Sequence, residues 1–134
     1  MIPSNSTLLS TDIEIERQPS KNYKMYIESN TITGFCDEKE AMIQAIYKIL
    51  NTERYDYIIY SWNYGIELKD LIGEPLSYVC PELQDRITEA LMQDDRILEV
   101  SDFNFSFPLK SIVSVTFSAK TIFGDIKAKK EVKI

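Results

Sequence analysis

Apolar residues along this chain switch between a spacing of two and a spacing of three to four, and each switch marks an element. Ile13 and Ile15 alternate with Asp12, Glu14 and Glu16, and Tyr23, Met25 and Ile27 alternate with Lys24 and Tyr26. Ser29-Asn30 is a turn signal before Thr31-Ile32-Thr33-Gly34, so residues 11–33 predict short strands and a hairpin behind a polar N-terminal arm, residues 1–10. From Asp37 the period lengthens. Ala41, Met42, Ala45, Ile46, Ile49 and Leu50 share one helical face, Asp37 is placed to N-cap it, and Glu40 stands at the third helical position, as in a capping box. The helix is expected to end near Asn51, and the small Ala41 and Ala45 suit close packing on a sheet.

A second helical stripe consists of Leu76, Val79, Leu83, Ile87, Ala90 and Leu91, running to Met92. Pro81 suits a helical first turn, which moves the expected start from Leu76 or Tyr78 towards Cys80. Ahead of it, Glu67 to Ile72 read as a short helical turn closed by Gly73, with Pro75 barring continuation. Glu82, Asp85, Arg86 and Glu89 lie opposite the stripe and read as a solvated face.

After Arg96 the period falls to two. Val100, Phe103, Phe105 and Phe107 are followed by Pro108, then by Val113, Val115 and Phe117 alternating with Ser114, Thr116 and Ser118. Ile126, Ala128, Lys130, Val132 and Ile134 repeat the pattern beyond the turn Thr121-Ile122-Phe123-Gly124-Asp125, whose Phe123 reads as an exposed tip. This predicts a C-terminal β-meander, with residues 111–134 its closing hairpin. Strands, two helices and strands again, without βαβ alternation, give an α+β fold: one domain over residues 1–134, a mostly antiparallel sheet, and two main helices packed on it.

Between the helices lies the densest aromatic segment. Tyr55, Tyr57, Tyr60, Trp62 and Tyr64 fall among Ile58 and Ile59, a composition that suits a strand with a buried or partner-facing surface. Framed by Thr52-Glu53-Arg54 and Gly65-Ile66-Glu67-Leu68, this stretch resembles the core of the sheath-initiator (baseplate wedge) family of contractile phage tails, most closely its PBSX-type prophage branch, which carries a similar TER–YSW–YG–EL pattern. Asp94-Asp95-Arg96-Ile97 is similar to that family's Glu-Pro-Arg-Ile signature, with Asp95 replacing the proline. The resemblance runs from about Ile32 to Phe107 and implies a small α+β particle component.

Composition narrows the alternatives. The chain has no histidine, so Ser-His-Asp and Cys-His catalysis and His-containing metal sites are excluded within it. Its four glycines form neither a dinucleotide nor a phosphate loop, and no metal or cofactor is expected. A net charge of −6 argues against a nucleic-acid footprint. No apolar run approaches the ~20 residues of a membrane helix, and the first residues lack a signal-peptide pattern, so a cytoplasmic protein is expected. Cys36 and Cys80, far apart and outside any CxxC, read as buried or semi-buried thiols. Charge is also segregated: residues 66–102 carry ten acidic and three basic side chains, a balance of −7, whereas 120–134 carry five lysines against Asp125 and Glu131, a balance of +3. Either solvated surfaces or complementary docking faces follow from this.

The resemblance, together with the aromatic concentration and the alternating lysine-rich C-terminal strand, implies roles for particular residues. Thr52, Glu53 and Arg54 are expected to hold the helix exit, Arg54 through a carboxylate. Tyr60, Trp62 and Tyr64 are expected to fix the local fold or contact wedge proteins, with Gly65 allowing a turn that a Cβ would hinder. Asp94, Asp95 and Arg96 are expected near the wedge, Arg96 as a docking cation. Ile126, Ala128, Lys130, Val132 and Ile134 are expected to receive a strand of the tail sheath, so that the C-terminal hairpin templates the first sheath ring, and deletion of residues 126–134 is expected to abolish sheath assembly. The implied partners are sheath and wedge proteins, with the tail tube a further candidate, in six copies around the tail, assembled in the host cytoplasm. An alternative from another class is a lysozyme-like glycosidase using Glu53 with Glu67 or Glu74 with Asp94, which requires carboxyls about 5 to 9.5 Å apart.

Overall fold

The computed structural model describes residues 19–134. The arm at residues 1–10 and the alternation around Ile13 and Ile15 lie outside the described residues. In chain order the elements are β1 (Asn22–Tyr26), β2 (Thr31–Cys36), α1 (Glu38–Leu50), a 3-10 turn (Lys69–Leu71), α2 (Leu76–Met92), β3 (Ile97–Leu109), β4 (Ile112–Thr121) and β5 (Gly124–Lys133). The fold is α+β, with all strand pairing antiparallel in two sheets, β1-β2 and β3-β4-β5.

The first hairpin turns at Asn30, whose N–H donates to Ile27 O. It is fastened to α1 by Gln44, which donates from Nε2 to Tyr23 O (2.7 Å) and accepts from Met25 N (2.9 Å). Asp37 caps α1 by accepting from Glu38 N. Glu40 pairs with Lys24 on β1, so the expected capping box is a cap plus an ion pair.

Met42, Ile46, Ile49 and Leu50 of α1 and Ile87, Ala90 and Leu91 of α2 close over Val115, Phe117, Ala119 and Ile126 of the meander. A second cluster, Leu71, Val79, Leu83, Val113 and Val132, continues the core towards the start of α2. The central strand β4 follows the period of two: Val113, Val115, Phe117 and Ala119 all face the helices and are buried.

Three expectations are corrected. α2 starts at Leu76 with Pro75 as its cap, so Pro81 lies inside the helix. Val79 and Leu83 bury themselves on either side of the proline, and that packing holds the first turn despite the hydrogen bond Pro81 cannot make. Leu76, counted in the apolar stripe, is exposed because it precedes the part of the helix that meets the sheet. Phe123, expected as an exposed tip, folds back against the main core, while Thr121 Oγ1 accepts from its N–H and donates to Gly124 O.

Candidate functional site

The aromatic segment forms no strand. Residues 54–65 form a loop whose ends meet in an isolated parallel bridge between Glu53 and Ile66. Ile66 N donates to Thr52 O (3.0 Å) and Arg54 N to Ile66 O (3.1 Å). β-branched and aromatic residues suit a pleated surface, but a strand also needs a neighbour; this segment finds only that bridge.

The Thr-Glu-Arg motif builds the clasp at the root of this loop. Thr52 Oγ1 donates to Lys48 O, finishing α1. Glu53 Oε1 accepts from Leu68 N (3.0 Å) and Lys69 N (3.2 Å), fixing the 3-10 turn on the far side. The Arg54 guanidinium, 10% exposed, donates to Gly65 O through Nε and Nη2 and to Glu89 of α2 through Nη1. Gly65 has φ +93°, and a Cβ built there would lie 2.5 Å from Thr52 O, so only glycine lets the two ends approach. Arg86 of α2 completes the root by donating to Glu67 O (2.9 Å) and pairing with Asp70 and Glu82. Hydrogen bonding from Arg86 draws the Asp70 carboxyl below its ordinary value. The helix face that reads as solvated therefore supplies the anchors Arg86 and Glu89. An i,i+4 Glu82–Arg86 pair is visible in the sequence, but the partners Asp70 and Glu67 are not.

At the tip the side chains face outward. Ile58 is fully exposed, Ile59 is 85% and Trp62 82% exposed, and Tyr55 and Tyr57 are also exposed. Tyr60 stacks on Tyr64 (4.4 Å between centroids), and Trp62 meets Tyr55 edge-on. Burial raises the Tyr64 phenol above its ordinary value. Of the aromatic residues singled out from the sequence, Trp62 is free to meet a partner, whereas Tyr60 and Tyr64 brace the loop; Ile58 and Ile59 join Trp62 as the exposed set.

Asp94 and Arg96 form a bidentate pair at the exit of α2, with Nε–Oδ1 2.9 Å and Nη2–Oδ2 2.7 Å. Asp94 also accepts from Arg96 N (3.0 Å), and Arg96 Nη1 donates to Ser20 Oγ. Burial pushes the Asp94 carboxyl up, but the Arg96 guanidinium and backbone N–H outweigh it and leave it below its ordinary value. The charge pair thus forms without the proline that Asp95 replaces. Together with Ser61, Asn63, Tyr64 and Asp95 it lines a cleft of about 550 Å³.

The C-terminal strand presents a different kind of surface. β5 pairs with β4 without a bulge from Gly124 to Lys133. Ile126, Ala128, Lys130 and Val132 point towards the helices: Ile126 and Val132 are buried, and Lys130 donates to Asn51 Oδ1 (3.0 Å) at the end of α1. Burial lowers the Lys130 ammonium below its ordinary value. Ile134 lies half-buried against the second cluster. Of these side chains, expected to meet the sheath, Ile126 and Val132 belong to this chain's own core while Ala128, Lys130 and Ile134 are half-buried, and deleting residues 126–134 removes part of the core.

What β5 offers outward is backbone. Ile134 N donates to Ser111 O (2.7 Å), which fixes the even-numbered residues as those bonded to β4. By the alternation of an antiparallel ladder, Lys127, Lys129, Glu131 and Lys133 turn their N–H and C=O groups to the outer edge, which is free of any strand among the described residues. The opposite edge, β3, differs: its register shifts at three places, Asp102 has φ +58°, and Pro108 interrupts its donors.

Of the two carboxylate pairs considered for a glycosidase, Glu74 with Asp94 is too widely separated. Glu74 and Asp94 flank opposite ends of α2, which separates them by roughly 25 Å at 1.5 Å per residue. Glu53 is engaged by two backbone N–H groups, and the shifted carboxyls, Asp70 and Asp94, both move down, against the need of a general acid. Among the described residues no helix is long and apolar enough to cross a membrane, and both cysteines are free thiols, Cys36 buried and Cys80 half-buried.

A clasped aromatic loop and an open sheet edge on a small α+β body are features of an assembly component, and comparison with known proteins agrees. Residues 13–124 match the contractile injection system sheath initiator family, and the chain belongs to that family. It is 41% identical over 99 residues to the phage-like element PBSX protein XkdS of Bacillus subtilis (strain 168), a match covering 69% of this chain and 70% of that protein. The chain is thus a structural component of a contractile tail, with the tail sheath as the partner its family implies.

Proposed function

We propose that this protein sits in the baseplate, links wedge proteins to the tail sheath, and starts the first sheath ring by lending its sheet edge to a strand of the sheath. The observation that carries this reading is the free edge of β5: unbroken in register over its whole length, with no bulge or proline, and kept from chance pairing by Lys127, Lys129 and Lys133. Strand addition supplies affinity through backbone hydrogen bonds, and the lysines steer an acidic partner. Six copies around the tube, assembled in the host cytoplasm, present six such edges in one orientation. Ile58, Ile59 and Trp62 are the wedge-facing set, and Arg96, held by Asp94 and Ser20, is the docking cation for the wedge.

Lys129→Pro tests the edge. It removes an N–H that faces outward and leaves both the β4 bonds and the buried side chains in place. Particles carrying it are expected to retain baseplates and tubes but lack sheath in electron micrographs; normally sheathed particles would overturn the reading. For the loop, Ile58→Asp with Trp62→Ser is expected to leave the melting temperature within about 0.5 kcal/mol equivalent of wild type and to reduce incorporation into baseplates. Normal incorporation would remove the tip from the wedge contact.

A further inference from the structure

Beside the free edge of β5 lies a groove of about 230 Å³, walled by Ile43, Ile46, Tyr47, Leu50 and Asn51 of the first helix and its exit and floored by β5 from Ile126 to Lys129. No residue of β3 or β4 lines it, which places it at the outer margin of the sheet. The first helix overhangs this margin because its i, i+3, i+4, i+7 set, Ile43, Ile46, Tyr47 and Leu50, is wider than the strip of sheet beneath it. Ile46 and Leu50 reach the core, while Ile43 and Tyr47 remain exposed, Ile43 by half. A solvated outer face has no need of an isoleucine and a tyrosine above an unpaired strand.

We infer that this groove selects the incoming sheath segment, receiving an extended strand that alternates apolar with acidic residues. The inference rests on the edge-pairing reading and adds what that reading lacks, a rule for the partner's side chains. A strand added beside β5 lies about 4.8 Å from it. Its residues on the side of Ile126 and Ala128 project beneath the first helix, where Ile43 and Tyr47 complete an apolar wall. Its alternate residues emerge on the opposite face, where Lys129 is already paired with Glu131 and where Lys127 and Lys133 pair with carboxylates across strands. At the end of the groove Asn51 and Lys130 are bonded to each other, so the apolar lining stops there and a polar residue of the partner is required. Because side chains alternate, a shift of one residue would put carboxylates under Ile43 and apolar groups beside the lysines. The groove therefore sets the register as well as the partner.

The test uses intact particles in which wild-type sheath subunits assemble on Ile43→Asp baseplates. Ile43 lies outside the buried core, and circular dichroism with a thermal melt of the purified variant verifies folding. The expected result is at least a tenfold fall in sheathed tails with the variant still present in baseplates. Normal sheath on Ile43→Asp alongside sheathless Lys129→Pro particles would overturn the groove and leave edge pairing standing; normal sheath on both would overturn edge pairing as well. A photo-crosslinking phenylalanine at Tyr47 gives an independent measure in assembled tails. Capture of a sheath peptide that alternates apolar and acidic residues supports the proposal, whereas capture of a second copy of this chain, or of a helical segment, overturns it.

Discussion

The loop of residues 54–65 and strand β5 expose opposite parts of the chain. In the loop, the clasp residues hold the backbone at the root, and side chains such as Ile58 and Trp62 face solvent. In β5 the large apolar side chains Ile126 and Val132 are buried, and the backbone of alternate residues faces outward. The segment richer in aromatic residues is therefore on the outside, and the lysine-rich one contributes to the core. On the proposed reading this gives two modes of recognition: side-chain substitutions at the loop tip alter contacts without altering the fold, whereas at β5 inward side chains govern the fold and backbone or edge changes reach the partner.

The largest expected effect breaks the loop side of that contrast. Gly65→Val places a side chain against Thr52 O at a φ that valine resists, and a loss of about 4 kcal/mol is expected, seen as a fall of more than 10 °C in a thermal melt. An unchanged melt would show that the clasp is not what orders the loop. Next, Ile126→Ala on β5 is expected to cost about 3 kcal/mol in denaturant unfolding, the usual range for a buried isoleucine. A neutral result would mean that the inward face of β5 is available to a partner after all. The smallest effect concerns acid. The Asp94 carboxyl titrates below its ordinary 3.8 in the fold, so its contribution is complete above that value and is lost as pH falls through the folded value. Asp94→Asn should therefore be less stable than wild type near neutrality, with the gap closing below about pH 4. A gap that stays constant with pH would show that Arg96 does not depend on the charge of Asp94.

Periodicity made much of this legible. The faces of both helices, the first hairpin and the C-terminal meander follow from spacing, because each element buries one stripe against a neighbour that has the matching stripe. The loop did not, since Tyr55 to Tyr64 have strand composition, and only the Gly65 geometry and the Gly65 carbonyl gripped by Arg54 decide that they leave the sheet. Those are contacts to backbone, which leave no pattern in side-chain order. For β5 the alternation was evident but not its polarity: Ile126 goes inward to join Met42 and Ile46, and Val132 goes inward to join Val79 and Leu83. The Asp94–Arg96 pair was visible because it spans two residues. Arg86 and Glu89 were missed as anchors because their loop partners lie far away in sequence.

The clasp has a consequence for inheritance and engineering. The side-chain hydrogen bonds at the root join residues 48, 52–54, 56, 65, 67–70, 82, 86 and 89, and among the described residues none involves a side chain from Tyr57 to Trp62. The tip is thus an exchangeable cassette on a fixed mount. On the proposed reading of the tip as a wedge contact, lineages can rewrite those residues without renegotiating the fold, and a tip transplanted between two initiators that share the Thr-Glu-Arg and glycine mount is expected to carry its partner preference with it.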